Sequence, residues 1–500
     1  MTRITITLLF VSLLSFFAFK RHPGTPAAMP PALSSIRESD IRQDLFAMAA
    51  DNMRGRRAGT LDELRAGAWV AEQARKAGLQ PAGDDGTYFQ FFSIRRTRVA
   101  PSSSIALNGK QLLLNKDIWV TTPIDSQLTL PVEWLESLAD TSRNLQGKAV
   151  AIMLRPPVQL PAPGVSLWGY RYTAAAVRQQ ANSLRAHGAS CVVLVADSVA
   201  ETELSFIGHN YQEGSYQLET GNSGAQQARN PAPVLFLRSS LAAGLRQSAA
   251  TLTLTLRSES FLYPSVNVVA AAKGSDPVLG KEWVLFSGHH DHDGVGLPVA
   301  GDSIWNGADD NATVSVAMLA IARAWVAKPG KRAALFVWHG AEERGLLGSR
   351  WYAEHPTVRK ESIVAVLNGD MMGRNSPDSA ALLGAVPPHR NSATLVNMAM
   401  QANKDVSKFK TVDTSWDDPK HPEGWYFRSD HLSYARVGIP AIFFTTLLHP
   451  DYHTPRDEAQ RIDIAKLTRM SRWMYATGWS VSETAQRPAL DNPSSVNLSR

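Results

Sequence analysis

The sequence has 500 residues, of which 44% are hydrophobic and 19% charged, and its formal net charge is +6. This length exceeds what one hydrophobic core usually organises, so we expect at least two domains, and the composition excludes a disordered or fibrous protein. Arg3, Lys20 and Arg21 supply half of the net charge, and no long basic cluster with interleaved aromatic residues follows, so nucleic-acid binding is not indicated.

Residues 4–19 form a mostly apolar run that follows a single arginine. The run is too long for a surface strand and short for a membrane-spanning helix, so it predicts export through a signal peptide. The basic pair Lys20 and Arg21 follows directly and no clean cleavage site is present, which leaves an uncleaved membrane anchor as the alternative. We therefore expect a periplasmic or secreted protein, either free or tethered through residues 4–19, with residues 1–30 serving as leader and linker.

Residues 31–105 are expected to open the main domain. Apolar residues recur with helical spacing over residues 34–50 and 62–78. Between these two patterns lies a glycine-punctuated turn that carries Arg54, Arg56 and Arg57. We interpret these arginines as part of a solvent-exposed charged loop, with contact to a substrate carboxylate as the alternative.

Residues 106–262 have a different texture, with short β-like runs and one amphipathic helical pattern over residues 174–187. Histidine, aspartate and glutamate are not clustered here, so this block predicts an inserted β-rich domain without a catalytic site of its own. Cys191 is the only cysteine of the sequence, which excludes an intramolecular disulfide and a cysteine-ligated metal site.

Residues 263–480 are expected to form the main part of the principal domain, because four apolar runs of strand length alternate there with helical patterns. The runs are residues 283–286, 333–338, 363–367 and 439–444. This alternation predicts an α/β fold whose mostly parallel or mixed sheet is flanked by helices, and such sheets carry their sites at the carboxyl ends of the strands. The serine-, asparagine- and proline-rich residues 481–500 predict a disordered tail.

Two imidazoles and three carboxylates follow these strands or open a helix between them, and they are the candidate metal ligands. They are His289, Asp310, Glu343, Asp370 and His453. Such nitrogen and oxygen donors suit zinc, and five of them exceed what one ion needs, so they favour two ions that share a carboxylate and a water. Glu342 could then take the proton of that water as a general base. Asp291, two residues after His289, could accept the second N–H of that imidazole.

Six motifs stand in a fixed order around these candidates. They are Gly288-His289-His290-Asp291-His292, Asn306-Gly307-Ala308-Asp309-Asp310-Asn311-Ala312, Ala341-Glu342-Glu343-Arg344-Gly345-Leu346-Leu347-Gly348-Ser349, Gly369-Asp370-Met371, Ser429-Asp430-His431 and Tyr452-His453-Thr454-Pro455. Together they closely resemble the M28 family of co-catalytic dizinc aminopeptidases. The resemblance runs from about residue 37 to residue 464. The inserted block, with Gly147-Lys148-Ala149-Val150 and Gly188-Ala189-Ser190-Cys191-Val192-Val193, resembles the protease-associated domain that some of these enzymes carry.

The resemblance implies an exported aminopeptidase that holds two Zn²⁺ per chain and acts on peptides with a free N-terminus. His289 and Asp370 would bind one zinc ion. Glu343 and His453 would bind the other, and Asp310 would bridge the two. Glu342 would be the general base for a metal-bridged water. The resemblance also implies a cis peptide bond after Asp310.

Three other functions stay open at this point. They are a glutaminyl cyclase-like acyltransferase with a single zinc, a carboxypeptidase-like relative on the same fold, and a non-catalytic binding ectodomain. The sequence contains neither G-x-S-x-G nor H-E-x-x-H, which disfavours a serine hydrolase and a thermolysin-type site. Among the remaining motif residues, we expect Asp430 and His431 to orient the metal loop. We expect His290 and His292 to be neighbours of the ligands or exposed, and Asp293 and Asp302 to be solvated loop residues.

Overall fold

The computed structural model describes residues 29–142, 144–158, 160, 167–219, 231–492 and 496–499. The predicted leader or anchor at residues 4–19 lies outside the described residues. Within the described part of the chain, no helix combines the length and the apolar character that crossing a membrane requires.

The described residues form helices and strands in a long alternation. The helices are α1 (Glu38–Met48), α2 (Leu61–Lys76), α3 (Trp168–Ala186), α4 (Ser198–Glu213), α5 (Ala242–Leu245), α6 (Thr313–Ala327), α7 (Leu347–Glu354), α8 (Ala393–Ala402), α9 (His431–Arg436) and α10 (Ile464–Glu483). The strands are β1 (Gln80–Pro81), β2 (Phe89–Val99), β3 (Ser104–Leu107), β4 (Lys110–Leu112), β5 (Ile118–Val120), β6 (Ser126–Leu135), β7 (Ala149–Met153), β8 (Cys191–Val195), β9 (Ser215–Leu218), β10 (Val234–Leu237), β11 (Thr251–Leu256), β12 (Ser258–Ala272), β13 (Trp283–His289), β14 (Gly294–Val299), β15 (Asp302–Trp305), β16 (Ala333–His339), β17 (Ile363–Gly369), β18 (Ser379–Leu383), β19 (Thr411–Asp413) and β20 (Ala441–Thr445).

The main sheet has the order β19-β18-β20-β17-β13-β16-β12-β2-β9, with β1 paired to β12. Its four central strands, β20, β17, β13 and β16, run parallel to one another. The outer pairs are mostly antiparallel, so the sheet is mixed. Parallel strands that are covered on both faces read as continuous apolar runs, and these four are buried almost throughout. They are the four predicted runs, and the predicted α/β fold is confirmed.

Both faces of the main sheet are covered because side chains alternate along each strand. Phe286 of β13 lies in the larger core, together with residues of α1, α2, α6, α8 and α10. Its neighbour Leu285 points to the other face, where Tyr352 of α7 and Tyr434 of α9 lie. Helix α6 begins directly under the ends of the strands, since Ser315 Oγ donates to the His289 carbonyl at 3.0 Å. The packing of α6 thus positions the residues at its N-terminus against β13.

A second sheet forms between residues 104 and 256, in the order β4-β3-β11-β6-β7-β8-β10-β5. It has a core on each face, and the predicted amphipathic helix is α3. A further helix, α4, was not predicted, because its buried residues are few and separated by polar ones. The chain also returns to the main sheet earlier than predicted, since β9 pairs with β2 and β12 belongs to the main sheet from Ser258 onward. The division of the chain into domains itself stays a prediction.

The predicted disordered tail is wrong for residues 484–492, which lie along the main domain. The Asp491 carboxylate accepts hydrogen bonds from Arg390 Nε at 2.8 Å and from the Ala393 N–H at 2.9 Å. Ser392 Oγ donates to the Ala489 carbonyl at 2.7 Å. The tail is rich in serine, asparagine and proline, a composition that indicates disorder. Its hydrogen-bond partners lie about 100 residues earlier in the chain, so the local sequence does not show them.

Candidate metal centre

The five candidate ligands gather at one edge of the main sheet. Strand β13 ends at His289, and β16 ends three residues before Glu342. Strand β17 ends directly before Asp370. Because the carboxyl ends of parallel strands meet at the same edge, residues far apart in sequence are brought together there. The loop after β20 adds His453, and the turn before α6 adds Asp310.

Ligand atoms form two groups at this edge. One group contains His289, Glu342 and Asp370, and the other contains His292, Asp310, Glu343 and His453, with the atoms of each group within 4.8 Å of one another. The Asp310 carboxylate joins the two groups. Its Oδ1 lies 3.2 Å from His289 Nε2, and its Oδ2 lies 3.1 Å from His453 Nε2. All five candidate ligands are therefore brought together, with Asp310 in the middle.

The donor set fits divalent metal ions. His289 Nε2 is buried and finds no hydrogen-bond partner among the described residues. It faces Asp370 Oδ2 at 3.6 Å and Glu342 Oε2 at 3.8 Å. Carboxylates gathered away from water repel one another unless positive charge compensates them. Burial raises the pKa of Asp370 to about 6, and a cation beside the carboxylate would offset this effect. The site therefore suits one cation at each group.

Asp291 lies beneath the two glutamates. Its Oδ1 accepts a hydrogen bond from the Glu342 N–H at 3.0 Å, and its Oδ2 accepts one from the Glu343 N–H at 3.3 Å. The predicted contact with His289 is longer, because the carboxylate stands 3.7 Å from Nδ1, while the Asp291 backbone carbonyl lies at 3.2 Å. Asp291 thus positions the turn that carries Glu342 and Glu343, and its backbone carbonyl is the nearer partner of the imidazole.

The turn that carries Asp310 is held by a second buried acid. The Asp457 carboxylate accepts from the backbone N–H groups of Asp309 and Asp310, in each case at 3.0 Å. The Asp309 carboxylate turns away from the ligands and accepts from the Gly373 N–H at 2.7 Å. Asp310 is therefore the acid of the pair that faces the ligands. The peptide bond between Asp310 and Asn311 is cis, as expected from the resemblance.

His453 is oriented by Asp293, which was expected to be a solvated loop residue. Asp293 Oδ2 lies 2.9 Å from His453 Nδ1, and Asp293 Oδ1 lies 3.2 Å from Arg344. The interpretation of Asp293 as a solvated loop residue is therefore wrong, since its partners come from two distant segments of the chain. The only local signal was its position four residues after His289.

Among the other motif residues, His292 belongs to the second group, together with Asp310, Glu343 and His453. His292 is buried and its Nδ1 lies 2.8 Å from Glu343 Oε1, so it contacts a candidate ligand. His290, Asp430 and His431 are also buried, and none of them belongs to either group. Asp302 accepts from the Ile304 N–H in the β14–β15 hairpin and stays partly exposed.

Arg56 is fully buried, so its interpretation as part of a solvated loop is wrong. Its guanidinium donates to four backbone carbonyls, those of Met48 (3.1 Å), His290 (2.8 Å), Asn306 (2.6 Å) and Gly307 (2.8 Å). These contacts tie α1 to the segments that follow His289 and precede Asp310. Burial lowers the pKa of Arg56 to about 10, partly offset by nearby acids such as Asp291, so Arg56 remains a cation at neutral pH.

Replacing Arg56 by Met is expected to lower the free energy of unfolding by about 3 kcal/mol, because it leaves buried carbonyls without donors. Arg56→Lys keeps the charge but not the planar fork, so an intermediate loss is expected. Urea unfolding followed by tryptophan fluorescence measures both. The matched control is Arg54→Met, an exposed neighbour whose loss should change stability by no more than about 0.5 kcal/mol. Equal urea midpoints for Arg56→Met and Arg54→Met would show that the hydrogen bonds of Arg56 to the four carbonyls do not stabilise the fold.

The model of Peptidase family M28 matches residues 267–478, which include every candidate ligand and Glu342. Residues 267–478 are an M28 peptidase domain. The second sheet lies outside the matched residues.

Curated relatives match part of the chain. A probable leucine aminopeptidase of Arthroderma benhamiae is 25% identical over 189 residues, which are 35% of this chain and 48% of that protein. Aminopeptidase YwaD of Bacillus subtilis is 25% identical over 36% of this chain and 39% of its own length. Leupeptin-inactivating enzyme 1 of Streptomyces exfoliatus is 32% identical over 35% of this chain and 34% of its own length. The similarity to these relatives thus spans about half of their length or less.

Solved structures resemble the fold over nearly the whole chain. The aminopeptidase from Aneurinibacillus sp. strain AM-1 aligns with a TM-score of 0.57 and 18% identity, over 93% of this chain and 98% of that chain. BSAP, a zinc aminopeptidase from Bacillus subtilis, aligns with a TM-score of 0.58 and 18% identity, over 90% of this chain and 96% of that chain. These alignments show that the M28 domain and the second sheet share an architecture with known proteins.

A cavity of about 710 Å³ lies where the M28 domain meets helices α3 and α4 of the second-sheet segment. Glu343 and His453 line it on one side, so it opens onto the metal centre. Phe206 of α4 stacks on Trp305 of the M28 domain, with ring centroids 5.5 Å apart. The second-sheet segment therefore forms a wall of the space beside the candidate metal ligands.

Proposed function

We propose that this chain is a zinc-dependent aminopeptidase that removes single residues from the free N-terminus of peptides. The observation that carries the proposal is the Asp310 carboxylate, whose two oxygens face His289 and His453 and so join two groups of ligand atoms. The M28 domain and the names of its relatives support the same reaction class. The cavity beside Glu343 and His453 offers room for a short peptide segment.

Zinc is the ion we infer, because two imidazoles and three carboxylates form a borderline donor set. His289 and Asp370 would hold one ion, Glu343 and His453 the other, and Asp310 both. Bound there, the ions would supply positive charge that polarises a substrate carbonyl and makes a water more acidic.

Glu342 would accept the proton of the attacking water and pass it to the leaving amine. Its carboxyl is buried beside His289, and its backbone is held by Asp291. Burial raises the pKa of Glu342 well above that of an ordinary glutamate, and the neighbouring acids Glu343 and Asp370 add to this against the effect of His289. Positive charge held at the two groups would offset this rise and keep the carboxylate ionised, as a proton acceptor must be.

We also infer that the second-sheet segment is a protease-associated type of domain that shapes the substrate side of the cleft, since α3 and α4 line the cavity. Residues 4–19 support export of the enzyme to the periplasm or the medium, free or tethered. Separation of cell fractions, with sequencing of the mature N-terminus, tests export and distinguishes a cleaved leader from an anchor.

Acetylation of the substrate N-terminus is expected to slow hydrolysis at least tenfold, a loss of about 1.4 kcal/mol in transition-state stabilisation. The acetyl group removes the positive charge and the lone pair of the amine and adds bulk where the cleft should end. Paired free and acetylated peptides of the same sequence, followed by mass spectrometry of the products, provide the measurement.

Equal rates on both peptides, or release of C-terminal residues first, would reject the aminopeptidase proposal in favour of a carboxypeptidase-like enzyme. A single zinc ion per chain with cyclisation of N-terminal glutamine would favour the acyltransferase. Absence of turnover in a protein that binds two zinc ions would favour a binding ectodomain.

A further inference from the structure

The cavity beside the metal centre has an excess of positive charge on its walls. Of the described residues, five arginines line it, namely Arg57, Arg171, Arg178, Arg344 and Arg428. Three acids besides the candidate ligand Glu343 line it as well, namely Glu213, Glu423 and Asp293. Arg57 pairs with Glu213, and Arg344 pairs with Asp293. The excess of positive charge is therefore local, where Arg171, Arg178 and Arg428 stand near the single acid Glu423. Such a local excess attracts a group of the opposite sign.

Two of these arginines share a single buried glutamate. Arg171 of α3 and Arg428 of the M28 domain both form ion pairs with Glu423, the latter at 3.1 Å. The Glu423 side chain is only 2% exposed, whereas those of Arg171 and Arg428 are 16% and 26% exposed. One carboxylate has two oxygens, and each guanidinium has five N–H donors. The pair therefore retains donors and one net positive charge on the cavity side.

Arg171 keeps its positive charge at neutral pH, although its surroundings lower its pKa. Burial and the neighbouring guanidinium of Arg428 lower the pKa of Arg171 to about 10. Helix α3 also presents Ala174, Ala175 and Arg178 to the cavity, which follow Arg171 at the helical spacing of one face. The second-sheet segment thus contributes cations to the wall that faces the M28 domain.

The ring of Tyr452 lies between Arg428 and the candidate ligand His453. Arg428 donates to Tyr452 Oη at 3.1 Å, and its Cζ lies 5.8 Å from the Tyr452 ring centroid. The Tyr452 ring in turn lies 4.0 Å from the His453 ring. The guanidinium is therefore no more than about 10 Å from the imidazole, which is the span of about three extended residues.

We propose that Arg171 and Arg428 form a subsite for a substrate carboxylate two or three residues downstream of the bond that is cut. This inference rests on the proposed function, since it takes the metal centre as the place of cleavage. Two sources supply a carboxylate at that distance, the free C-terminus of a tripeptide or tetrapeptide and an acidic side chain in a longer peptide. In both cases the two arginines select among substrates by charge, and a helix of the second-sheet segment supplies one of them.

The first test compares three substrates with the zinc-loaded enzyme: Leu-Gly-Gly, Leu-Gly-Gly amide and Leu-Gly-Asp amide. We expect kcat/KM for the free acid to exceed that for the neutral amide at least about tenfold, mainly through KM, because a charge-assisted contact is lost. If kcat/KM for Leu-Gly-Asp amide approaches that for the free acid, the subsite also accepts an acidic side chain. If it stays as low as that for the neutral amide, the subsite recognises the C-terminal carboxylate. Rates within twofold for all three substrates would overturn the subsite.

Variants assign the preference to the arginine pair. Arg171→Gln should reduce the ratio of acid to amide below about threefold, and Arg171→Lys should restore part of it, because the charge returns without the fork. Arg350→Gln is the charge-matched control, since Arg350 is exposed on α7 and does not line the cavity. An unchanged ratio in folded Arg171→Gln would overturn the assignment. Thermal melting reports whether that variant folds, and if it does not, the wild-type series still decides.

A binding measurement separates this inference from the proposed function. The free acid and the amide of Leu-Gly-Gly with a reduced first peptide bond resist hydrolysis, and calorimetry gives their affinities for the wild-type enzyme. We expect the acid to bind at least about tenfold more tightly than the amide. Equal affinities would overturn the subsite even in an active aminopeptidase. Failure to hydrolyse any peptide, with the preference in binding retained, would reject the proposed function alone.

Discussion

Replacing Glu342 by Gln is expected to lower kcat by about 10²- to 10⁴-fold while both zinc ions stay bound. Glutamine retains the shape and one side-chain oxygen but cannot accept a proton. Glu342 is suited to the role because it is buried, its carboxylate faces His289 and its backbone is held by Asp291. Steady-state kinetics on a leucine peptide and metal analysis of the same sample provide the two measurements.

The control for this variant is Glu354→Gln, which makes the same chemical change at an exposed position at the end of α7. It should retain wild-type turnover. Near-normal turnover in Glu342→Gln would move the proton acceptor elsewhere. Loss of one zinc ion in that variant would instead show that Glu342 is a ligand, since Glu342 lies in one group with His289 and Asp370.

Asp310→Ala is expected to lose both metal and activity, with zinc affinity reduced by more than the roughly 10- to 100-fold typical of a neighbour that only supports a ligand. The reason is geometric, since one Asp310 oxygen faces each group, at 3.2 Å from His289 Nε2 and 3.1 Å from His453 Nε2. Removing it withdraws a ligand from both ions and leaves the remaining acids less compensated.

Metal content after dialysis, measured beside activity, tests the bridge. The control is Asp302→Ala, an acid of the nearby hairpin whose carboxylate accepts only from the Ile304 N–H among the described residues. That variant should keep two zinc ions. Two zinc ions in Asp310→Ala would assign the bridge to another carboxylate, and one zinc ion with residual activity would show that the two groups bind independently.

Much of the metal centre could be predicted from local sequence. The ligand types follow directly on apolar runs of strand length, and parallel strands in one sheet end at one edge, so His289, Glu343 and Asp370 had to approach one another if the fold was α/β. The choice of Asp310 over Asp309 came from the resemblance to the M28 family. The structure explains it physically, because Asp309 is held by the Gly373 N–H and turned away from the ligands.

Contacts among distant loops could not be predicted in this way. Arg56 stands in a glycine-punctuated turn with two other arginines, a pattern typical of exposed loops, yet it is buried under carbonyls more than 200 residues away. Asp293 was likewise expected to be a solvated loop residue and instead contacts His453. Asp457, which no sequence pattern singled out, accepts from the backbone of the Asp310 turn. A charged side chain is stable inside a protein only with its partners, and the partners here come from other segments.

The sequence by itself determined the order of apolar strands and helices and the ligand types that close each strand, because hydrophobic periodicity and strand ends are local properties. Only the tertiary structure decided which buried charges support the ligands and that residues 484–492 are packed against the main domain. It also decided that Arg171 of α3 and Arg428 pair with the same glutamate, Glu423. Those outcomes depend on distances between segments far apart in the chain. Such distances are set when the two sheets and their helices pack together, and no local pattern records them.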